Sequence, residues 1–337
     1  MKTERPAMKA ISKQEVIQSM EKFVEENLSL LQPADKLWQP MDFLPRTDRD
    51  NWEAEIQRLQ TNARNLSDEL LLVLIGNMIT EEALPSYETW LSGLDGIGGK
   101  NGISRNPWAL WTRGWTAEEN RHGAILNTYL YLSGRADMKS VFRTIYYLIQ
   151  NGFDPQTGTD PYYGLVYTSF QERATTVAHR NTGRVALKQG DENLGQICSL
   201  VAGDESRHER AYKNFFQKVL ELDPEGGVLA FAEMMKRKII MPAKNMADAG
   251  EKELFIQHIV SAQRLGIYTA NDYAEIIRHL LDFWQIDKLK SLGPEAAEAQ
   301  EYLCGLPKFY EGKAHKLGLM AKLRPRMKCP WLYNRKV

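Results

Sequence analysis

The chain contains little cysteine, with only Cys198, Cys304 and Cys329 among its 337 residues. The odd number, the wide spacing and the lack of a Cys-x-x-Cys pair argue against a disulfide framework or a structural zinc site. A reducing compartment is the simplest environment for such a chain. Cys198 lies in an apolar, helix-like stretch and is predicted to be a small buried hydrophobic residue.

Long hydrophobic runs are also missing. The most apolar stretch, Leu70 to Ile79, contains Gly76 and Asn77 and is far shorter than the roughly 20 apolar residues that cross a bilayer. We therefore predict that the protein is not an integral membrane protein. Residues 1–12 lack the apolar block of a secretory signal, and residues 1–13 are expected to be flexible.

The chain has no net charge, because 43 Lys and Arg residues balance 43 Asp and Glu residues. Without an overall positive field, nucleic acid is not expected as a partner. Strand patterns are missing before about residue 305, whereas apolar residues recur at helical spacing through most of the chain. With 43% apolar residues, the sequence predicts one large all-α domain over residues 1–337.

The apolar periodicity sets approximate bounds for these helices. A kink is expected near Pro85. The Gly-rich segment 95–104 is predicted to be a plain connector, because no strand precedes it. The last thirty residues are expected to be irregular. The predicted helices are 14–31, 50–64, 67–94, 107–133, 137–151, 161–188, 191–221, 225–238, 251–265, 271–290 and 294–303.

Two matching hexapeptides stand out on this background. They are Glu-Glu-Asn-Arg-His-Gly at 118–123 and Asp-Glu-Ser-Arg-His-Glu at 204–209. Each contains a Glu-x-x-His unit, whose two side chains share one face of a helix. One such unit alone is more often a surface pair or a satisfied core histidine. Two copies within a repeated helix pair, 67–133 and 161–221, favour a functional centre with pseudo-twofold symmetry.

Two single glutamates complete the pattern, since Glu81 precedes the first unit and Glu172 precedes the second. Four carboxylates and two imidazoles can hold two divalent metals, and this order is the one of dinuclear carboxylate sites in four-helix bundles. Two dications would neutralise the four carboxylates, which makes burial tolerable. Oxygen-rich ligands with two imidazoles suit iron or manganese better than zinc.

The segments around these residues extend the pattern beyond the ligands. They include Trp-Thr-Ala-Glu-Glu-Asn-Arg-His-Gly at 115–123, Tyr-Thr-Ser-Phe-Gln-Glu-Arg-Ala-Thr at 167–175, and Ala-Gln-Arg-Leu-Gly-Ile-Tyr-Thr-Ala at 262–270. Together with Met-Ile-Thr-Glu-Glu-Ala-Leu-Pro around Glu81, they resemble the soluble plant-type acyl-acyl-carrier-protein desaturases, over roughly residues 14 to 335.

This resemblance implies a ferritin-like di-iron four-helix bundle, at about residues 67–221, within a larger helical domain. It implies an enzyme that uses dioxygen and two electrons from a reduced [2Fe-2S] ferredoxin. The substrate would be a saturated acyl chain on acyl carrier protein, and the product would carry one cis double bond, expected at the 9-position of a stearoyl or palmitoyl chain. The family also implies a soluble homodimer, located in the plastid stroma of a plant or alga or in the cytoplasm of a bacterium.

The resemblance also assigns roles to residues. Thr175 resembles the family's threonine on the oxygen-binding side of the irons, although it could also be an ordinary helix threonine bonding its own backbone. Asp204 is expected to accept the second N–H of His122. Trp38 resembles the tryptophan that begins an electron route to iron, although its position in a connector also fits core packing. The implied iron ligands are Glu81, Glu119, His122, Glu172, Glu205 and His208.

In the family, two regions line a narrow acyl tunnel, and here core packing is the alternative reading. A bulky Trp90 beside Gly93 is expected to alter the tunnel's depth, so the chain length and the double-bond position stay open. The corresponding residues are Trp90, Gly93, Leu94, Pro155, Thr157, Gly164 and Leu165.

Two further features concern the surface and a departure from the family. Lys236, Arg237 and Lys238 form a basic cluster that could dock the acidic carrier protein, although such runs are usually solvated faces. Asn77 replaces the Asp that the family has near Glu81.

The alternatives to a desaturase with the same fold are a ribonucleotide reductase small subunit, an aldehyde-deformylating oxygenase and a ferroxidase. An alternative of another class, without lipid oxidation, is an iron-storage or scaffold protein.

Overall fold

The computed structural model describes residues 12–99, 103–246 and 253–337. Almost every described element is helical, which confirms the all-α prediction. Within these ranges, no helix is both long and apolar enough to cross a membrane. The helices are α1 Lys13–Ser19, α2 Glu21–Asn27, α3 Trp52–Arg64, α4 Asp68–Glu82, α5 Leu84–Ser92, α6 Pro107–Ser133, α7 Met138–Asn151, α8 Pro161–Lys188, α9 Glu192–Leu222, α10 Pro224–Arg237, α11 Leu254–Leu265, α12 Ala270–Phe283 and α13 Pro294–Leu323.

The helices α4, α6, α8 and α9 form the predicted four-helix bundle, of the ferritin-like type. The helices α8 and α9 make an antiparallel pair with the most extensive contact in the molecule, while α4 packs on α6 and α8, and α6 on α9. Gly190 makes the tight turn between α8 and α9 with a φ of +88°, a conformation that glycine adopts without steric cost.

Local sequence signals explain why these four helices begin where they do. Ser67, Asn106 and Asp191 each accept a hydrogen bond from a backbone N–H of the first turn of α4, α6 and α9, and Asp160 caps α8 in the same way. Such caps satisfy N–H groups that have no partner within the helix. The left-handed Gly134 ends α6.

Helix α4 is buried along nearly its whole length, from Leu70 to Glu81. It is apolar on all sides because α6, α7, α8 and α11 surround it. This explains the most apolar stretch of the chain without a membrane. It also places Glu81 deep in the molecule, next to α6, which carries the first Glu-x-x-His unit, and α8, which carries Glu172.

The helix predicted over 67–94 is interrupted close to the expected kink. Helix α4 ends at Glu82 and α5 begins at Leu84, so Pro85 lies in the first turn of α5. Proline is tolerated there because first-turn N–H groups need no partner within the helix.

Cys198 is fully buried, as the sequence predicted.

The C-terminal prediction was wrong in one respect. Helix α13 does not end near residue 303 but continues through Pro307 to Leu323, so the stretch expected to be irregular begins only after it. The short strands β1 Lys328–Cys329 and β2 Arg335–Lys336 then pair in antiparallel fashion. Trp331 between them is buried and donates its indole N–H to Thr144, which joins the C-terminus to α7, a helix that packs on α4.

The N-terminal predictions also need correction. The helix predicted at 14–31 is divided into α1, α2 and a 3-10 turn over Leu28–Leu30. Residues 1–11, expected to be flexible, lie outside the described residues. Ser12 and Lys13 were included in that expectation, but Ser12 caps α1 and Lys13 forms an ion pair with Asp160. Likewise, α12 ends at Phe283 and not at 290.

A small buried polar network joins α4, α8 and α11. The imidazole Nε2 of His258 on α11 lies 3.2 Å from Asn77 Oδ1, and Asn77 Nδ2 donates to Thr182 on α8 at 3.3 Å. Gly76 permits this contact, because a Cβ there would lie 2.6 Å from the His258 ring. Burial lowers the pKa of His258 to about 4, so this network is neutral near pH 7.

The lowered pKa of His258 predicts how the stability of the fold depends on pH. In the unfolded chain His258 titrates near 6.5, so between that pH and about 4 only the unfolded state binds its proton. Stability is therefore lost as the pH falls through this window, by about 3 kcal/mol in total. Urea unfolding of the metal-free protein at pH 7 and pH 4.5, compared with His258→Phe, measures this contribution. An equal pH dependence in both proteins would contradict the assignment.

Candidate metal centre

The structure brings together all six residues predicted as ligands, one or two from each helix of the bundle. They form two groups, in each of which the candidate ligand atoms lie within 4.8 Å of one another. Every member is buried. The groups are Glu81, Glu119, His122 and Glu205, and Glu119, Glu172, Glu205 and His208.

Glu119 and Glu205 belong to both groups and therefore lie where bridging carboxylates would. The Nδ1 atom of His122 is 3.1 Å from Glu119 Oε2 and 3.3 Å from Glu205 Oε1. On the other side, His208 Nδ1 is 2.6 Å from Glu119 Oε1. Glu81 and Glu172 complete the two ends of the cluster, as the pseudo-twofold pattern predicted.

Several buried oxygen and nitrogen atoms of this cluster lack hydrogen-bond partners and could instead bind a metal. Among the described residues, Glu119 Oε1, Glu172 Oε2, Glu205 Oε1 and His208 Nδ1 have no hydrogen-bond partner of acceptable geometry. Buried polar atoms without a partner are costly and rare. Two divalent cations would satisfy all four atoms, so the residues fit a dinuclear metal site.

The electrostatics also favour two cations. Burial, together with the charge of Glu119, raises the pKa values of Glu172 and Glu205. Burial acts to lower the pKa of His122, but Glu119, Asp204 and Glu205 outweigh it, so that this pKa lies well above its ordinary value. Without metal, the centre therefore has an unfavourable excess of buried carboxylates that bound dications would neutralise.

Each histidine of the cluster contacts, through its Nε2 atom, an acid of the other hexapeptide. Asp204 Oδ2 lies 3.2 Å from His122 Nε2, as predicted. Glu118 Oε2 lies 3.0 Å from His208 Nε2, a contact that the sequence analysis missed. Aligning the two hexapeptides would have revealed it, because Glu118 occupies the same place in the first as Asp204 does in the second. Such partners fix the tautomer and orientation of a ligand imidazole.

The arginine of each hexapeptide supports these acids. Arg207 donates to Glu118 at 2.9 Å and to Asp204 at 2.8 Å, and Arg121 donates to Asp204 at 3.0 Å. Burial acts to raise the pKa of Asp204, but His122 and Arg207 outweigh it and lower the value. Asp204 therefore stays ionised behind its histidine.

Trp38 lies directly against this group. Its indole N–H donates to Asp204 Oδ2 at 3.0 Å, and its ring stacks on His122 with 6.2 Å between centroids and 8° between planes. The Arg121 guanidinium lies 4.6 Å from the ring centroid and donates to the Trp38 carbonyl. Trp38 is thus connected to a ligand histidine through one carboxylate, which is the placement that the resemblance implied.

Thr175 combines the two readings that the sequence left open. Its hydroxyl is 2.7 Å from Glu205 Oε2, a carboxylate shared by both groups, and it is also 3.0 Å from the backbone carbonyl of Glu172. The hydroxyl therefore lies at the metal centre while its helix geometry remains that of an ordinary threonine.

Two ring donors next to the single glutamates were not predicted. His179 Nε2 lies 2.8 Å from Glu81 Oε1, and Trp115 Nε1 donates to Glu172 Oε1 at 3.0 Å. Both side chains are buried. The helical spacing from Glu172 through Thr175 to His179 puts these residues on nearly one face of α8, which was the available signal for His179.

The seven predicted tunnel residues lie in two different environments. Trp90 donates its indole N–H to Thr157 at 2.8 Å, and Gly164 lies so close to Leu94 that a Cβ would come within 2.3 Å of it. Leu165 is buried. Pro155, by contrast, is only half-buried and Gly93 is exposed. Tunnel lining and core packing both remain compatible with this arrangement.

A separate apolar cavity of about 810 Å³ opens between α8, α11 and α13. Phe170 and Gln171, which directly precede Glu172, form part of its wall. None of the seven predicted tunnel residues lines it. Lys238 and Arg324 contribute the basic side chains of its lining.

The three residues of the predicted basic cluster have different surroundings. Arg237 donates to Glu233 at 2.9 Å and to the carbonyl of Gln156, while the Lys236 ammonium lies over the Tyr302 ring. Lys238 lines the apolar cavity. The cluster therefore adjoins the cavity.

Comparison with known proteins finds similarity over nearly the whole chain. The sequence model of the family described as fatty acid desaturase matches residues 12–332. The chloroplastic stearoyl-[acyl-carrier-protein] 9-desaturase of Ricinus communis is 48% identical over 324 residues, which cover 96% of this chain and 82% of that protein. The chloroplastic acyl-[acyl-carrier-protein] desaturase of Cucumis sativus is 48% identical over 326 residues, with 96% and 82% covered.

Among solved structures, the DesA2 protein of Mycobacterium tuberculosis has a similar fold, with a TM-score of 0.53 and 17% identity over 84% of this chain and 98% of that one. At this identity the likeness concerns the fold alone. The family model, in contrast, spans nearly the whole chain, and the plant relatives share almost half of its residues. The protein therefore belongs to the fatty acid desaturase family, among the plant-type acyl-[acyl-carrier-protein] desaturases.

Proposed function

We propose that the protein is a di-iron acyl-[acyl-carrier-protein] desaturase. It would convert a saturated acyl chain, dioxygen, two electrons and two protons into a cis-unsaturated chain and two waters. The observation that carries the proposal is the buried cluster of four carboxylates and two histidines in a chain of this family. The names of the plant relatives support a stearoyl chain and the 9-position.

Iron is the proposed metal, and its role is to activate dioxygen so that hydrogen can leave an unactivated methylene. Such a carbon is neither acidic nor electrophilic, so acid–base groups alone cannot oxidise it. The protein's part is to hold the metals, orient the chain and exclude water. The residues that would hold the metals are Glu81, Glu119, His122, Glu172, Glu205 and His208, of which Glu119 and Glu205 belong to both groups.

Three residues would serve the chemistry without being ligands. The Thr175 hydroxyl, which touches Glu205, would donate a hydrogen bond or a proton on the oxygen-binding side. Trp38 and Asp204 would carry electrons to the metal bound by His122, because indole, carboxylate and imidazole form one hydrogen-bonded series.

The apolar cavity is the proposed path for the acyl chain from the surface. Its volume of about 810 Å³ lies within the usual range of ligand pockets, about 300–1,000 Å³. Beyond the metals, the group containing Trp90, Thr157 and Gly164 would form the closed end that receives the distal part of the chain. The remaining predicted tunnel residues, Gly93, Leu94, Pro155 and Leu165, would support that end.

The proposed partners are the acyl carrier protein, a [2Fe-2S] ferredoxin as electron donor and a second copy of the chain. Phe142 and Tyr146, which are 49% and 61% exposed on one face of α7, offer apolar surface for a homodimer.

We also propose that residues 1–337 form a single domain. The relatives are described as chloroplastic, which supports the plastid stroma for a plant or algal protein, and the cytoplasm would correspond in a bacterium.

The direct test is an aerobic assay of the iron-loaded protein with ferredoxin, its reductase and acyl-carrier-protein thioesters of increasing length. Mass spectrometry would locate any double bond. We expect a single monounsaturated product. Dioxygen consumption without product, with two irons bound per chain, would favour another oxidase of the same fold, and many irons per chain in a large shell would favour iron storage.

Trp90 provides a prediction about chain length. In Trp90→Leu the indole is removed from the proposed closed end, so longer chains should fit. We expect kcat/KM for a chain beyond the wild-type optimum to rise about tenfold, because one methylene in an apolar pocket is worth about 1–3 kcal/mol. Trp52→Leu, at a Trp that is 36% exposed on α3, is the matched control. An unchanged chain-length profile in Trp90→Leu would argue for simple core packing.

Lys238 provides a prediction about the carrier protein. Reversing its charge in Lys238→Glu should raise KM for the acyl-carrier substrate by roughly fivefold, since a rim charge contributes up to about 1 kcal/mol, and leave kcat nearly unchanged. The effect should weaken at high salt. Lys188→Glu is the control, because Lys188 lies about 25 Å along α8 from Gln171, at 1.5 Å per residue. Equal KM values for both variants would exclude docking at this cluster.

A further inference from the structure

The two single glutamates at the ends of the metal centre are each bonded by a buried aromatic N–H. His179 Nε2 lies 2.8 Å from Glu81 Oε1, and Trp115 Nε1 lies 3.0 Å from Glu172 Oε1. His179 is 1% exposed and Trp115 is 6% exposed. The ring nitrogens next to the other two carboxylates, Glu119 and Glu205, belong to the candidate ligands His122 and His208 themselves.

In each pair the ring donor occupies one carboxylate oxygen and leaves the other facing the metal centre. Glu81 Oε2 lies 3.7 Å from His122 Nδ1, and Glu172 Oε2 lies 3.7 Å from His208 Nδ1. The carboxylates are therefore held with their free oxygen beside the ligand histidine of the same end. Rotation about the last side-chain bond would break the ring hydrogen bond.

The donor atom of His179 follows from its partner. An ionised carboxylate only accepts hydrogen bonds, so the Nε2 atom that faces Glu81 is the donor. The buried Nδ1 atom has no partner among the described residues. The His179 ring thus acts on Glu81 as the Trp115 indole acts on Glu172 on the opposite side.

We propose that His179 and Trp115 are positioning residues that orient Glu81 and Glu172 so that each presents one oxygen to its metal. The inference rests on the proposed two-iron centre. Outer hydrogen-bond partners of metal ligands commonly contribute about 10- to 100-fold to metal affinity. Since each ring contacts only one of the end carboxylates, each should act on one metal of the pair.

The test compares His179→Phe, His179→Gln and Trp115→Phe with the wild type. Anaerobic titration with iron(II) measures the affinity of each position, and Mössbauer spectra of the ⁵⁷Fe(II)-loaded proteins report the two metals separately. We expect His179→Phe to weaken one of the two irons by about 10- to 100-fold and to change the quadrupole splitting of half of the bound iron. His179→Gln, whose amide N–H can replace Nε2–H, should restore most of the affinity. Trp115→Phe should affect the other half of the iron.

Circular dichroism and the thermal midpoint of the metal-free variants show which of them fold. Two irons bound with wild-type affinity and unchanged Mössbauer spectra, in every apolar variant that folds, would overturn the inference. Because His179 and Trp115 lie on different helices, the failure of one variant to fold still leaves the other as a test. A wild-type protein that does not bind two irons would instead refute the proposed function itself.

Discussion

The central constraint on this molecule is the burial of four carboxylates and two imidazoles among four helices. Such a cluster is costly unless cations or protons neutralise it, and it can be assembled only if each helix supplies its ligands at the right height. This requirement accounts for long, well-capped helices with small adjustments, such as the break after Glu82. It also explains why the chain keeps α4 apolar on all sides, since α4 lies between the other ligand helices and the outer layer.

Around this centre, the hydrogen bonds form successive layers of opposite charge. Carboxylates at the centre contact histidines, the histidines contact Asp204 and Glu118, and these acids contact Arg121 and Arg207. Each layer supplies hydrogen-bond partners to the one inside it. The crosswise bonds between hexapeptides also join α6 to α9. The arrangement of the candidate metal centre and the packing of the bundle therefore depend on the same contacts.

The apolar cavity and the candidate metal centre share helix α8, so one helix contributes residues to both. Phe170 and Gln171 face the cavity, while the next residue, Glu172, belongs to the metal cluster. Neighbouring positions on a helix point in different directions. A single turn of α8 therefore presents an apolar surface on one side and a carboxylate of the charged cluster on another. Helices α11 and α13, which lie outside the bundle, build the opposite wall.

The sequence alone determined the elements whose information is local. Helical periodicity was sufficient to predict α6, α8 and α9 within about a residue, and the spacing within each Glu-x-x-His unit placed its two side chains on one face. The tertiary structure decided the contacts between helices: Glu118 with His208, His179 with Glu81, the cavity wall from α11 and α13, and the continuation of α13 through Pro307. These depend on how the helices pack against one another, and residues distant in the chain leave no periodic signal of their contact.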